Sequence, residues 1–295
     1  MTYRLLLALF VSMVLVGSAS SVWAKTKRHE RFEYNVVYKG PVTSYKPLDI
    51  SKAIWSGPGV NSGDTSEVSV LITSEKHMKV EMMFPFRYCF KTKFNRSSKR
   101  SLGFEHSQRA GTKAQHISAQ FDWKRQILRS KRLKAELPGV SLNPFDGFRQ
   151  EIHRPKVKWK THSEKSILLP NKLLDQISMV QYLRMLPLKA GQVISIPLSD
   201  GIRMLAYWVD VMYDNKVKAA GRRWKAFRLR FETFDPVMDK APHPPVDIWL
   251  SRDKRRIPLR LSSSFQMGEV DIHLTRIGRT RNNGMRCKSW PGFYR

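Results

Sequence analysis

The chain has 295 residues, with 53 Lys and Arg against 24 Asp and Glu, which gives a formal net charge of +29 at pH 7. This length is sufficient to bury a substantial core in one domain or two. Beyond residues 1–24, no segment is long and apolar enough to span a membrane as a helix, which excludes an integral helical membrane protein.

Residues 1–24 have the pattern of a secretory signal peptide. Arg4 precedes an apolar run broken only by Ser12, and the segment ends in Val22, Trp23 and Ala24, with small residues where a signal peptidase needs them. The apolar run is shorter than the roughly 20 residues that cross a membrane. We therefore expect cleavage after Ala24 and export, into the periplasm of a Gram-negative bacterium.

Export changes the interpretation of the charge. Loss of Arg4 with the signal peptide leaves +28 on residues 25–295. Such a charge in the cytoplasm would indicate nucleic acid, which an exported protein rarely meets. We expect no nucleic-acid partner. An anionic envelope lipid or polysaccharide is the expected partner, with peripheral membrane contact and an envelope protein as further partners. The alternative is that scattered Lys and Arg only keep the protein soluble.

Apolar and polar residues alternate along several segments of the mature chain, as they do in an antiparallel sheet with one buried face. In chain order these predicted strands include residues 32–38, 68–72, 78–82, 117–123, 227–231, 246–250 and 270–274. The pattern predicts an all-β fold. We expect a single β-rich domain over residues 25–295, with a basic C-terminal tail at residues 276–295.

One segment has helical spacing instead. Asp175 is a suitable N-cap for an amphipathic helix near residues 176–186, where apolar residues recur at three-residue spacing up to Pro187. A single helix among many strands indicates an element packed against a curved sheet. Residues 138–170 contain four prolines and are predicted to be a long connection with one exposed edge strand.

Several segments together resemble a known family. They are FEYNVVYKG at residues 32–40, AQFDW at 119–123, LLDQIS at 173–178, and DIWLS at 247–251 followed by IPLR at 257–260 and GEV at 268–270. In this order and spacing they resemble the DUF3108 family of exported bacterial proteins of unknown function. The resemblance implies a strongly curved, half-barrel-like antiparallel sheet, related in shape to envelope carriers that hold acyl chains. It implies no reaction. Residues 41–66 and the tail depart from the family pattern.

The sequence contains no recognisable catalytic set. The eight histidines lack metal-binding spacing. Ser251 and Lys254 match Ser-x-x-Lys, but they fall where a predicted strand ends and a hairpin begins, so we interpret the match as coincidence. We predict no catalytic residue, no metal site and no cofactor.

Methionine and aromatic residues of the predicted strands could line a concave apolar site, because methionine adapts to irregular ligands. The alternative is that they form an ordinary core. The candidate lining residues are Met78, Met82, Met204, Trp208, Met212, Phe227, Phe231 and Trp249.

Four basic clusters could contact an anionic partner, and the last of them ends in aromatic residues that suit a membrane interface. The candidate contacts are Lys91, Lys93, Arg129, Lys131, Arg132, Arg255, Arg256, Arg279 and Arg281.

The chain has two cysteines, Cys89 and Cys287. In an oxidising compartment they could form a disulfide that attaches the tail to the body, and two free buried thiols are the alternative.

These features favour a non-catalytic periplasmic binding or carrier protein for an apolar or amphipathic envelope component, such as a lipid or lipopolysaccharide. The alternatives are a scaffold or interaction protein of an envelope assembly and an unrecognised hydrolase of envelope polymers.

Overall fold

Fourteen antiparallel strands form one continuous sheet in a computed structural model of the chain. The structure describes residues 29–59, 63–137, 158–234, 244–265, 267–280 and 287. The predicted signal peptide and, apart from residues 276–280 and 287, the predicted basic tail lie outside the described residues.

The strands are rich in β-branched and aromatic residues that alternate with polar ones. They are β1 (His29–Lys39), β2 (Leu48–Gly57), β3 (Thr65–Thr73), β4 (Phe86–Asn95), β5 (Arg100–Ala110), β6 (Lys113–Asp122), β7 (Ile127–Glu136), β8 (Lys160–Leu168), β9 (Val193–Ser199), β10 (Met204–Ala219), β11 (Arg222–Phe234), β12 (Val246–Ser251), β13 (Pro258–Phe265) and β14 (Gly268–Thr280). Two α-helices, α1 (Met78–Met83) and α2 (Gln176–Met185), and a short 3-10 turn (Pro41–Thr43) lie between strands.

The sheet curves back towards itself. Its order is β8-β7-β6-β5-β4-β3-β2-β1-β14-β13-β12-β11-β10-β9, so that β8 and β9 are its two edges. Lys165 of β8 nevertheless donates to the carbonyl oxygen of Ile202, in the connection between β9 and β10, at 3.1 Å. No strand ladder joins β8 to β9 within the described residues. The sheet is antiparallel, and its curvature brings one edge close to the other, which confirms the predicted curved antiparallel sheet.

Helix α2 lies on one face of this sheet, which we call the inner face. Met179, Val180 and Leu183 of the helix pack with inner-face side chains from both halves of the sheet, among them Phe32 and Leu229. The opposite face, here the outer face, carries a separate small cluster that includes Leu71 and Cys89. The main core is therefore the space between helix α2 and the sheet around it.

The predicted helix is confirmed. Helix α2 begins after Asp175, whose side chain accepts hydrogen bonds from the backbone N–H groups of Ile177 and Ser178. It ends two residues before Pro187. The predicted edge strand in the long connection corresponds to β8, which is mostly exposed, while residues 138–157 lie outside the described residues.

The predicted strand at residues 78–82 is wrong, because these residues form helix α1. Three alternating apolar residues are too few to separate a strand from a single helical turn. The helix ends at Met83 because Phe84 precedes Pro85, which disfavours a helical conformation, and Phe84 accordingly has a φ of −156° and a ψ of 77°.

Candidate functional site

Asp175 fixes the start of helix α2 against the sheet. Its Oδ1 caps the helix, and its Oδ2 accepts hydrogen bonds from the hydroxyls of Thr92 on β4, Ser101 on β5 and Ser178, at 2.6–2.7 Å. The carboxylate is buried and every contact satisfies it. The predicted role of Asp175 as a helix cap is confirmed, and the cap also determines where the first turn of the helix meets the sheet.

Arg184 fixes the other end of the helix. Its Nη2 lies 2.6 Å from Glu30 Oε2, and its Nε and Nη2 donate to the carbonyl oxygens of Arg256 and Arg255 at 3.0 Å. These contacts join the helix to β1 and to the connection between β12 and β13. A helix fixed at both ends forms a rigid wall for the space beside it.

A cavity of about 220 Å³ lies between the first turn of this helix, strands β4–β6 and the β9–β10 connection. Its wall mixes apolar side chains with polar and charged ones, among them Glu105, Gln115, Asp200 and Arg203. The apolar lining residues are Phe90, Phe104, Ile117, Ile177 and Ile202.

Gly201 lies in the β9–β10 connection next to this cavity. Its φ is +84°, which favours glycine, and a Cβ there would lie 3.0 Å from the side chains of Ile117 and Phe104. Asp200 holds the connection by accepting hydrogen bonds from the backbone N–H groups of Ile202 and Arg203 at 2.8 and 2.9 Å. The connection is therefore built to approach β5 and β6 closely.

His106 is one of the polar residues that line this cavity. Its ring stacks on Phe90 with a centroid distance of 4.0 Å, and its buried Nε2 has no hydrogen-bond partner among the described residues. Burial lowers the pKa of His106 to about 4, with the charge of His116 acting in the same direction and Asp200 opposing it. The imidazole is therefore neutral near pH 7. An unpaired ring nitrogen in a cavity is a ready hydrogen-bonding partner for a ligand.

The eight candidate lining residues do not share a face. Phe227 and Phe231 lie in the main core, where they pair with inner-face residues of the neighbouring strands. Met204, Trp208 and Met212 lie on the outer face, because Val209 and Val211 at the alternate positions of β10 are in the core. Met78 and Met82 are exposed on helix α1. The expectation that all eight residues line one concavity is therefore wrong, because the methionines and Trp208 do not lie on the inner face.

Trp249 shows why an apolar residue in an alternating segment need not lie on the inner face. It pairs with Arg228 and Arg260 and therefore lies on the outer face with them. The guanidinium of Arg260 lies 4.8 Å from its ring centroid, and its Nε1 donates to Asp214 Oδ2 at 2.9 Å. Arginine side chains cover this tryptophan on the outer face, and it is also packed with residues of the main core.

Four of the candidate basic contacts share one surface. Lys91 and Lys93 on β4 and Arg129 and Lys131 on β7 lie in two adjacent cross-strand rows of the outer face. A groove of about 650 Å³ crosses β4–β6 between them, and its floor includes Gly103. We call these four residues and Gly103 the basic groove. Lys93 and Arg129 are exposed and form no ion pair with the residues that the structure describes.

The other candidate basic contacts lie elsewhere. Arg132 is on the inner face, where its Nε donates to Gln115 at 2.8 Å. Arg255 and Arg256 lie in the β12–β13 connection, and Arg279 lies near the end of β14 opposite Glu30. Arg281 is outside the described residues. The nine residues therefore do not form one surface.

Cys89 and Cys287 form a disulfide, with Cα atoms 5.3 Å apart, which decides between the two alternatives that the sequence leaves open. The bond lies in the outer-face cluster beside Leu71, Leu137 and Trp159. It attaches residue 287 to the outer face of β4.

A serine–histidine pair lies close to this disulfide. Ser107 Oγ and His116 Nδ1 are 2.7 Å apart, but both residues are buried, and Trp159 packs edge-on against the imidazole. A nucleophile must reach its substrate, which this burial prevents. Within the described ranges, no three His, Cys, Asp or Glu side chains gather as a metal site requires.

Exposed apolar side chains gather at the end of the sheet where β1 and β3 finish and β2, β4 and β14 begin. The β1–β2, β3–β4 and β13–β14 connections carry them, and the register of these strands places the three connections side by side. We call this set the apolar rim; its members are Val42, Tyr45, Leu48, Met78, Met82, Met83, Phe84, Phe265 and Met267.

The alternating sequence pattern did not predict three features of the structure: the cavity beside helix α2, the position of His106 in its wall, and the apolar rim. Strand β5 carries His106 and Phe104 without a clear alternating pattern, so only the assembled sheet reveals their shared face. Among the described residues, no helix has the length and hydropathy needed to cross a membrane.

Comparison with known proteins identifies a family and a similar fold. The family model described as "Protein of unknown function (DUF3108)" matches residues 33–275. No curated protein sequence matches the chain. A solved structure, the beta-barrel-like protein of domain of unknown function DUF1849 from Brucella abortus, is similar with a TM-score of 0.51 and 12% identity. The similarity covers 85% of this chain and 98% of that one, and shows the fold alone.

Proposed function

The chain belongs to the DUF3108 family, whose description assigns no activity, and we propose that it is a non-catalytic binding protein of the bacterial envelope. Its ligand is an apolar or amphipathic envelope component, and the predicted signal peptide supports a periplasmic location. The observation that carries the proposal is the cavity beside helix α2, whose wall combines apolar and polar side chains and includes His106 with its unpaired Nε2.

The size of the cavity limits the ligand. Engineered apolar cavities of roughly 150 Å³ take up benzene, so a space of about 220 Å³ is sufficient for one short apolar group. Helix α2 and the aromatic side chains around it are packed in the main core beside this cavity. We therefore propose that one short apolar group of the ligand, with a polar group beside it, enters the cavity while the remainder of the ligand stays outside.

His106 gives this cavity a polar preference. Because its imidazole is neutral, Nε2 can donate or accept one hydrogen bond, according to the tautomer. A buried polar atom without a partner is unfavourable, so a ligand that pairs with Nε2 gains more than an apolar ligand of the same shape. A hydroxyl or carboxyl group next to a short apolar chain fits this requirement.

The binding proposal is tested with the mature protein, residues 25–295, and decanoic acid in a calorimetric titration. Ile177→Phe narrows the cavity and is expected to weaken binding at least about tenfold. Ile194→Phe is the matched control, because Ile194 is also a half-buried isoleucine packed on the main core, but lies outside the cavity. Equal affinity of the two variants, or no binding by the unaltered protein, contradicts the proposal.

Native mass spectrometry of protein purified without detergent then identifies the bound compound. We expect a mass above that of the polypeptide in the unaltered protein and its absence in Ile177→Phe. A polypeptide mass alone in both proteins, together with no uptake of decanoic acid, excludes a ligand-carrying role.

The second candidate function is a scaffold protein of an envelope assembly. The basic groove favours it, because exposed Lys93 and Arg129 on the outer face could meet an acidic protein or polysaccharide. Crosslinking in intact cells tests this alternative with the variant Lys93→Glu/Arg129→Glu and the charge-matched control Lys254→Glu/Arg255→Glu. Loss of one crosslinked partner in the first variant alone supports the scaffold function.

A further inference from the structure

We propose that the apolar rim docks on the surface of an anionic phospholipid bilayer, with its methionine and aromatic side chains inserted at the head-group level. This inference is independent of the ligand held in the cavity. Soluble proteins rarely expose large contiguous apolar patches, and those that do use them to bind a partner or a membrane. The rim is formed by three connections at one end of the sheet, so a flat surface can contact all of them together.

Helix α1 is held so that its methionines face outward. Arg87 is fully buried, and its Nη1 and Nη2 lie 2.6 and 2.7 Å from the two carboxylate oxygens of Glu81 on the helix. Burial alone would raise the pKa of Glu81, but hydrogen bonds from Arg87 and Ser74 lower it and keep the carboxylate charged. The side chains of Met78 and Met83 are 77% and 75% exposed. Their exposure is therefore a fixed feature of the helix.

The chemistry of these methionines suits a lipid surface. A thioether side chain is flexible and polarisable, and it adapts to an irregular apolar environment. Phe84, directly after the helix, is also exposed, although its ring edge approaches the β5–β6 turn at Gly111. Four apolar side chains from one short stretch thus extend from the end of the sheet.

Tyr45 in the β1–β2 connection supplies an aromatic residue at the same end. Its side chain is 71% exposed, and its backbone has a φ of +59°, next to Ser44 with a φ of +48°. Two consecutive non-glycine residues in the left-handed region are uncommon, and bulky side chains are disfavoured there. Strained conformations of this kind concentrate at functional sites. Tyrosine is enriched at membrane interfaces, where its ring and hydroxyl meet apolar and polar layers.

The β13–β14 turn is joined to this connection. Tyr38 donates its hydroxyl to the carbonyl oxygen of Met267. Gly268, with a φ of +133°, lies so close to Lys39 and Gly40 that a Cβ would clash with their backbone. Met267 therefore reaches the rim as part of one structure with the β1–β2 connection.

The charge around the rim selects an anionic surface. Lys39, Lys46, Lys76 and Lys79 are exposed in or next to these connections, and the acidic residues there are Asp49, Glu75 and Glu269. Glu269 stands opposite Lys39 and lies 4.0 Å from Arg260. Glu81 is already paired with Arg87. Lysines beside exposed apolar residues are typical of segments that bind anionic lipids. An acidic protein would match the charge, but it does not explain a methionine-rich surface spread over three separate connections.

Vesicle flotation with the mature protein tests the inference. Vesicles of phosphatidylglycerol and phosphatidylethanolamine are expected to bind the protein, and phosphatidylcholine vesicles to bind it at least about tenfold more weakly. Met82→Asp/Met83→Asp is expected to reduce binding to the anionic vesicles at least about tenfold, because it places charge in the inserted layer. The matched control is Leu168→Asp/Val193→Asp, which alters residues that are 78% and 62% exposed at the opposite end of the sheet.

Two outcomes overturn the inference. One is no flotation of the unaltered protein with anionic vesicles at low salt. The other is equal flotation of the rim variant and the control, which would mean that charge alone holds the protein on the vesicle and that the rim does not insert. Circular dichroism confirms folding of each variant, because all four altered side chains are exposed.

Discussion

Arg184 and Glu30 lie 154 positions apart in the chain and form an ion pair with an Nη2–Oε2 distance of 2.6 Å. The guanidinium is fully buried, and the pair connects helix α2 to strand β1. The helix therefore depends on a charge supplied by the first strand of the described sheet.

Glu30→Gln is expected to lower the free energy of unfolding by about 3 kcal/mol, because it leaves the charge of Arg184 buried without its partner. Urea denaturation followed by circular dichroism measures the change. Glu33→Gln is the control, since Glu33 pairs with Arg31 at 2.9 Å but both side chains are about one-third exposed. That variant should change stability by less than about 1 kcal/mol. Equal effects of the two variants would show that burial does not strengthen the Arg184 pair.

Asp175→Ala is expected to destabilise the protein by about 3 kcal/mol, more than an ordinary cap. Two backbone N–H groups lose their acceptor, and the buried hydroxyls of Thr92 and Ser101 lose theirs. Thermal unfolding measures this effect. Asp122→Ala provides the comparison, because Asp122 accepts one backbone hydrogen bond, from Arg125, in an exposed turn. A loss no greater than that of Asp122→Ala would contradict the role of Asp175 in holding the sheet.

The burial of His106 predicts a loss of stability in mild acid. The unfolded chain binds a proton at His106 near the ordinary pKa of about 6.5, whereas the folded protein resists protonation until about pH 4. Between these values the unfolded state binds more protons, so stability falls as the pH falls from about 6.5 to about 4, by up to about 3 kcal/mol.

His106→Phe should remove most of this pH dependence and, because it replaces an unpaired buried nitrogen, stabilise the protein at pH 7 by about 1 kcal/mol. The same variant should weaken decanoic acid binding. His162→Phe, on exposed β8, is the control and should preserve both the pH dependence and the binding. Urea denaturation at about pH 4.5, inside the titration range, and at about pH 7, above it, separates the two variants. An unchanged pH dependence in His106→Phe would assign the acid sensitivity to other groups.

Reduction of the Cys89–Cys287 disulfide is expected to destabilise the protein. The bond closes a loop with a sequence separation of 198 residues, and in the chain-entropy treatment a loop of that length contributes up to about 5 kcal/mol. Calorimetry with and without reductant measures the change in melting temperature. The variant Cys89→Ala/Cys287→Ala should match the reduced protein and show no response to reductant. An oxidised and a reduced protein with the same melting temperature would exclude a stabilising role.

Local sequence signals predicted most of the framework. Alternation identified strands such as β1 and β14, because one face of each packs on the core, and Asp175 with Pro187 identified helix α2. The failure at Met78 to Met82 has a nonlocal cause. Helix α1 is stabilised by the contact of Glu81 with Arg87 on the following strand, which no short pattern contains.

The candidate site was less accessible to sequence reasoning for the same reason. The face on which a side chain lies depends on register and bulges, and the bulge between Trp249 and Leu250 alters the pairing of β12 with β13. Trp249 is apolar and was therefore predicted to lie on the inner face, but it lies on the outer face, where Arg228 and Arg260 cover its ring. His106 meets the β9–β10 connection only because the sheet curves, which brings residues 106 and 202 to one cavity.

The pairing of β1 with β14 dictates the order in which the protein can assemble during synthesis. Strands β1–β8 follow one another across one half of the sheet, and β9–β14 across the other. Among the described strands, the β1–β14 ladder is the one that joins the two halves. This ladder joins the first and the last described strands, so it cannot form before β14 is available to pair. Until β14 pairs with β1, each half of the sheet exposes an unpaired edge strand. The partly folded polypeptide is therefore most prone to aggregation just before this pairing.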